Sequence, residues 1–226
     1  MLTVREIIGN TPIFAGLEEN ELQQIEDIVV IRNYKKNMII FMEGEPGEAL
    51  FFIISGKVKV YKLAEDGREQ ILHILKEGDV FAEVVFIDKG NYPATAQVLE
   101  DSQIGLIRND DFERLVRENP DIALSLLRVM TYRLRQAQIQ IRDIALRDTY
   151  GRVASMLLML AKEHGLTCAE GIKIDLSLSR QELANLIGTT RETVTRVLSD
   201  FNKSNIIRLD RQVITILDEK KLRSWM

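Results

Sequence analysis

From about Met38 to Leu106 the chain breaks into short apolar runs punctuated by glycine: MIIFMEGEPGEA, LFFIISGKVKVYKL, AEDGREQILHIL and KEGDVF. Runs of this length between turn residues predict β-strands. Gly56, Gly67 and Gly78 recur at intervals of eleven residues, the spacing of turns in a meander or barrel. Asp66-Gly67 predicts a tight hairpin in which both turn residues take positive φ. The expectation is one β-barrel of the jelly-roll kind.

After Asn109 the period changes, and no glycine occurs between Gly105 and Gly151. Asn109 or Asp110 can cap a short helix running to Arg117, and Pro120 suits the first turn of a second, longer one. Along that helix Leu127, Met130, Leu134, Ala137, Ile141 and Ile144 alternate by three and four residues, among Arg133, Arg135, Gln136, Gln138, Gln140 and Arg142. Such a heptad seam with polar flanks predicts helix-helix dimerisation rather than a stripe packed on the chain's own barrel.

Beyond Asp148, TYGRVASMLLMLAKEHG predicts an amphipathic helix closed by Gly165, and IKIDLSLS a short extended segment. In SRQELANLIG, Ser179 and Glu182 form a capping-box pattern and Gly188 ends the helix. A second helix starts after Thr189 or Thr190, and IIRLDRQVITIL predicts two strands about Asp210-Arg211 before a last short helix. Helix, tight turn, helix and hairpin make a winged helix-turn-helix. The fold class is therefore α+β, in three parts. A β-barrel sensor domain with flanking helices spans 1–118, a long dimerisation helix 119–147, and a winged helix-turn-helix 148–226.

At 226 residues and 46% hydrophobic content the chain can bury substantial cores. The apolar run Leu157 to Ala161 stops at Lys162 and Glu163, well short of the ~20 residues that span a bilayer. MLTVREIIGNTPIF carries Arg5 and Glu6 where a secretory signal would be apolar, so a soluble cytoplasmic protein without a membrane partner is expected. Cys168 is the only cysteine, which excludes an intrachain disulfide and, within one chain, a cysteine-ligated iron-sulfur cluster or thiolate zinc site. His73, in ILHIL, could turn inward as a haem or metal ligand or serve the packing alone. No metal site or cofactor is expected. No carboxylate pair, activated nucleophile or phosphate-cradling glycine loop stands out, so an enzyme is not expected either.

The net charge of -4 is unevenly divided. Residues 1–147 hold 18 Lys+Arg against 24 Asp+Glu, whereas 148–226 hold 12 against 10, so only the C-terminal part is net positive. That division permits nucleic-acid binding there.

In RQELANLIGTTRETVTRVL the apolar Leu183, Ala184, Ile187, Val194, Val197 and Leu198 can pack two helices together, leaving Arg191, Glu192, Thr195 and Arg196 outside. These sit near the start of the second helix, the end that enters the major groove in this motif. Arginine can donate twice to guanine O6 and N7, and glutamate can accept from cytosine N4. The same spacing also suits a solvated face with a Glu192–Arg196 ion pair.

This segment resembles the helix-turn-helix of the Crp/Fnr superfamily of transcription regulators, whose recognition helix carries R-E-T-V-x-R, here Arg191, Glu192, Thr193, Val194 and Arg196. The resemblance runs from about residue 12 to 217 and includes NPD at Asn119 to Asp121 and DTYGRVA at the start of the C-terminal domain. It implies a homodimer on palindromic double-stranded DNA with half-sites similar to TGTGA, and RNA polymerase as a partner. Arg191, Glu192 and Arg196 would contact bases, with Thr195 tuning one. Ser179, Arg180, Gln181 and Thr190 would hold the phosphate backbone.

The family's cyclic-nucleotide cassette has a glycine and a glutamate, then an arginine and a hydroxyl residue about ten positions later. In GDVFAEVVFIDKGNYPATAQ, Glu83 fits the glutamate, but Ala82, Pro93 and Ala94 occupy the other places. Ala137 and Gln138 stand where cAMP-responsive members present hydroxyls. A buried phosphate without a cation is disfavoured, so cyclic nucleotide is not the expected effector. A small-molecule effector of another kind would meet Glu83, Tyr92, Thr95, Leu134 and Gln138, or the protein would act without one. The alternative is a cyclic-nucleotide-responsive regulator or regulatory module with a non-standard pocket.

Overall fold

The fold is taken from a computed structural model, which describes residues 4–14 and 16–226. Residues 1–3 and Ala15, which fall within the expected sensor domain 1–118, lie outside the described residues. Two compact units divide between Arg133 and Leu134, inside the long helix.

In the first unit, α1 (Val4–Asn10) and α2 (Glu19–Ile28) precede eight strands: β1 (Val30–Tyr34), β2 (Ile39–Phe41), β3 (Ala49–Ser55), β4 (Lys57–Leu63), β5 (Glu69–Lys76), β6 (Val80–Phe81), β7 (Thr95–Val98) and β8 (Ser102–Arg108). The short α3 (Glu83–Asp88) lies between β6 and β7, and α4 (Asn109–Glu118) and the start of α5 (Pro120–Leu146) follow β8. The strands form two antiparallel four-stranded sheets, ordered β1-β8-β3-β6 and β2-β7-β4-β5. The expected jelly roll is present, but as two open sheets rather than a closed barrel. The edge strand β6 has two residues, too few to carry a ladder across to the second sheet.

The run LFFII lacks alternation because β3 is buried on both faces. Ala49, Phe51 and Ile53 enter the core between the sheets with Phe41, Phe81 and Tyr92. Leu50, Phe52 and Ile54 join a second core with Ile8, Phe14, Phe112, Leu115 and Ile122 from the helices. Gly105 lies directly over this second layer: a Cβ there would come 2.3 Å from the Phe52 ring.

Two local expectations are corrected. Ala64 to Arg68 link β4 to β5, and the three-residue turn Glu65 to Gly67 within them is closed by Gly67 N donating to Ala64 O (2.9 Å) and Ala64 N to Arg68 O (2.8 Å). Only Gly67 takes positive φ there (81°), and the Asp66 carboxylate instead accepts from the backbone and side chain of Arg68. A turn followed by a left-handed glycine suits a three-residue loop, whereas two positive φ values suit a two-residue one. At α4 the N-cap is Arg108, not Asn109 or Asp110; Asn109 Nδ2 donates to Gly47 O (2.9 Å) and is committed elsewhere. Pro120 opens α5, as its fixed φ allows.

The second unit takes in the rest of α5, then α6 (Thr149–His164), β9 (Gly165–Cys168), β10 (Gly171–Ile174), α7 (Arg180–Ile187), α8 (Arg191–Lys203), β11 (Ile207–Asp210), β12 (Val213–Ile216) and α9 (Glu219–Arg223). Asp148 caps α6, its carboxylate accepting from Gly151 N (2.8 Å). Gly165 does end α6, but in extended conformation as the first residue of β9, where a Cβ would approach Ala161 O to 2.0 Å. The four short strands form one antiparallel sheet, β11-β12-β10-β9.

Candidate nucleic-acid interface and sensor site

The helix pair α7–α8 is fixed from both ends of its turn. Ser179 Oγ accepts from Glu182 N (3.1 Å) while Glu182 Oε2 accepts from Ser179 N (2.7 Å), completing the capping box. Gly188, at φ 74°, reverses the chain in the left-handed region, and Thr190 caps α8 by accepting from Thr193 N (3.3 Å). Leu183, Ala184, Leu186 and Ile187 of α7 and Val194, Val197, Leu198 and Phe201 of α8 are buried. Burial of that stripe forces the opposite side of α8 outward.

Arg191, Glu192, Thr195 and Arg196 are all exposed on its first two turns. Among the described residues there is no ion pair between Glu192 and Arg196, so the solvated-pair arrangement is not adopted. Thr195 Oγ1 donates to Arg191 O (2.8 Å), which leaves the hydroxyl an acceptor. Of the four residues expected at the phosphate backbone, Ser179 and Thr190 are helix caps and Gln181 donates to Asn185 Oδ1 (2.8 Å). Arg180 is half-buried, and burial holds its guanidinium below the usual arginine range; its Nη1 has no hydrogen-bond partner.

The sequence reading overlooked the support behind α8. Tyr150, on the first turn of α6, donates its hydroxyl to Asp200 Oδ2 (2.7 Å), and that carboxylate raises the phenol above its ordinary range. The ring stacks on Trp225 (5.3 Å, 24°) and meets Phe201 edge-on (5.9 Å). Gly151 permits this, since a Cβ would lie 2.9 Å from Trp225 O. The available signal was DTYG itself, with a tyrosine beside a glycine in a helix's first turn.

In the first unit Glu83 is 3% exposed. Its Oε1 accepts from Arg133 Nη1, whose other nitrogen donates to Val80 O, and its Oε2 has no hydrogen-bond partner. His73 lies in the field of both charges and is held down to about 4, by burial first, then by Arg133, against the opposing pull of Glu83. The heptad pattern places Arg133 as a polar flank, but it lies three and four residues beyond Met130 and Val129, which pack on the helix-side core. That periodicity was the signal for it. Tyr92 and Thr95 do not join Glu83 in this network. Tyr92 stacks on Phe41 (3.9 Å) and its oxygen accepts from Glu48 N (3.3 Å), while Thr95 Oγ1 accepts from Glu43 N (3.0 Å). Leu134 and Gln138 are exposed. Pro93 is exposed and Ala94 buried, and neither offers a cation or hydroxyl to a cyclic phosphate. Among the described residues no three or more His, Cys, Asp or Glu groups gather as a metal site, and no helix is long and apolar enough to cross a membrane.

On α5 the seam residues Leu127, Leu134, Ile141 and Ile144 are exposed, Leu134 to 62% and Ile141 to 68%, while Met130 and Ala137 are half-buried. Leu124, three residues before Leu127, extends the exposed stripe.

Residues 31–119 match the cyclic nucleotide-binding domain family, and residues 151–225 match the Crp-like helix-turn-helix domain family. The chain is 33% identical over 217 residues to the CRP-like cAMP-activated global transcriptional regulator of Mycobacterium tuberculosis, covering 96% of this chain and 97% of that protein. It is 32% identical over 189 residues to the global nitrogen regulator of a Nostoc species, covering 83% and 85%. The solved structure of FixK2 from Bradyrhizobium japonicum is similar with a TM-score of 0.77 at 26% identity, covering 88% of this chain and 97% of that one.

Proposed function

The chain belongs to the Crp/Fnr superfamily of transcription regulators, which are not enzymes, and from that premise we propose that it binds palindromic double-stranded DNA as a homodimer in the cytoplasm. The observation that carries this reading is the face of α8: Arg191, Glu192 and Arg196 project from a helix capped by Thr190, and Glu192 and Arg196 are not spent on one another. Arg191 and Arg196 donate to guanine, Glu192 accepts from cytosine, and Thr195 accepts from a neighbouring base or meets a thymine methyl. Ser179, Gln181 and Thr190 set the register on phosphates, with Arg180 beside them at the start of α7.

The exposed stripe of α5 meets its copy, so two recognition helices face successive major grooves about one helical turn apart, ~34–36 Å. The half-sites are TGTGA-like and RNA polymerase is the protein partner. The sensor unit responds to a small molecule other than a cyclic nucleotide, with Glu83 at its centre. Its residues do not fit a cyclic phosphate: Pro93 and Ala94 carry no charge or hydroxyl, and Arg133 is already held by Glu83 and Val80.

Selection of bound sequences from random DNA tests the proposal. A two-fold palindrome with guanine and cytosine at fixed places in each half-site is expected. Enrichment of no sequence, or of an asymmetric single site, would contradict it.

A further inference from the structure

Asp200 lies four residues after Arg196 on α8, the spacing at which opposite charges on a helix meet. Yet among the described residues Arg196 forms no ion pair, and Asp200 instead accepts the Tyr150 hydroxyl at 2.7 Å. Arg196 is near enough for its charge to act on the Tyr150 oxygen. The Tyr150 ring is stacked on Trp225 and set edge-on to Phe201, itself 1% exposed. A carboxylate oxygen already accepting from a phenol is a weaker acceptor for a guanidinium.

We infer that Tyr150 is a positioning residue for DNA specificity: by holding Asp200 it keeps the Arg196 guanidinium from folding back along α8 and leaves it extended toward the bases. The inference rests on the reading of α8 as the recognition helix and adds to it a residue from outside the helix-turn-helix. It explains why an exposed arginine and an aspartate in helical register stay apart.

Removing either partner abolishes the same hydrogen bond, but only one removal frees a carboxylate for Arg196. Tyr150→Phe keeps the stacked ring, so the fold is retained, and releases Asp200. Asp200→Ala removes the competitor altogether. The test measures full-length protein by fluorescence anisotropy on its selected palindrome and on duplexes substituted at each base pair. Arg196→Ala first identifies the base pair that Arg196 reads. At that pair Tyr150→Phe should lose about tenfold in discrimination. Asp200→Ala and the double variant should discriminate as the wild type does, and discrimination at the Arg191 pair should be unchanged throughout. Equal losses in Tyr150→Phe and Asp200→Ala would mean a bond that only braces the domain, and no loss in Tyr150→Phe would likewise overturn the inference. If Arg196→Ala alters discrimination nowhere, the failure lies instead in the assignment of Arg196 as a base reader.

Discussion

The guanidinium of Arg133 is bound to the carboxylate of Glu83, fifty residues earlier in the chain, and to the Val80 carbonyl beside it. The long helix is thereby tied to α3 and to the end of β6. A carboxylate 3% exposed depends on that cation. Arg133→Met should destabilise the first unit by about 3 kcal/mol, because it strands a buried charge. Adding Glu83→Gln should recover part of the loss, and urea unfolding of the three proteins measures it. If the double variant is less stable than Arg133→Met, the pair is not what holds Glu83.

His73 gives the first unit a pH response of defined sign. Its native value of about 4 lies below the ordinary histidine range near 6.5, so between these values the unfolded chain binds more protons than the folded one. Stability from this group is complete above about pH 6.5 and falls as pH drops toward 4, by at most about 3 kcal/mol. His73→Gln should flatten the difference between unfolding free energies at pH 7 and pH 5. An unchanged difference would place the titration elsewhere.

Local chemistry made much of this architecture legible. The strands were readable from glycines at 56, 67 and 78, the helix-turn-helix from Ser179, Glu182 and Gly188, and the long helix from Pro120 and the spacing of its apolar residues. Each is a short-range signal in which one residue type has few conformational uses. What was missed depends on contacts remote in sequence. Nothing near Glu83 announces Arg133, and nothing near Asp200 announces Tyr150. Asn109 read as a cap because its side chain is suited to one, but Gly47 claims that side chain from across the unit. The strand β9 was hidden because GLTC is brief and Gly165 signals a helix stop whether or not a strand follows.

The exposed stripe on α5 predicts the oligomeric state. Leu134→Glu with Ile141→Glu would place charges where two helices must pack, and burying an unpaired carboxylate is costly. Sedimentation should show the wild type as a dimer and the double variant as a monomer with an unchanged circular dichroism spectrum. A dimer undisturbed by both substitutions would exclude this stripe as the seam.

Whether the exposed face of α8 reads base edges is decided by affinity measured on two duplexes at two salt concentrations. Arg191→Ala should cost about 1 to 3 kcal/mol per half-site on the selected palindrome and little on a duplex in which the guanine is replaced. Arg180→Ala should weaken both duplexes alike and reduce the salt dependence. Equal losses on the two duplexes for Arg191→Ala would contradict the account, leaving Arg191 a solvated or phosphate-binding residue.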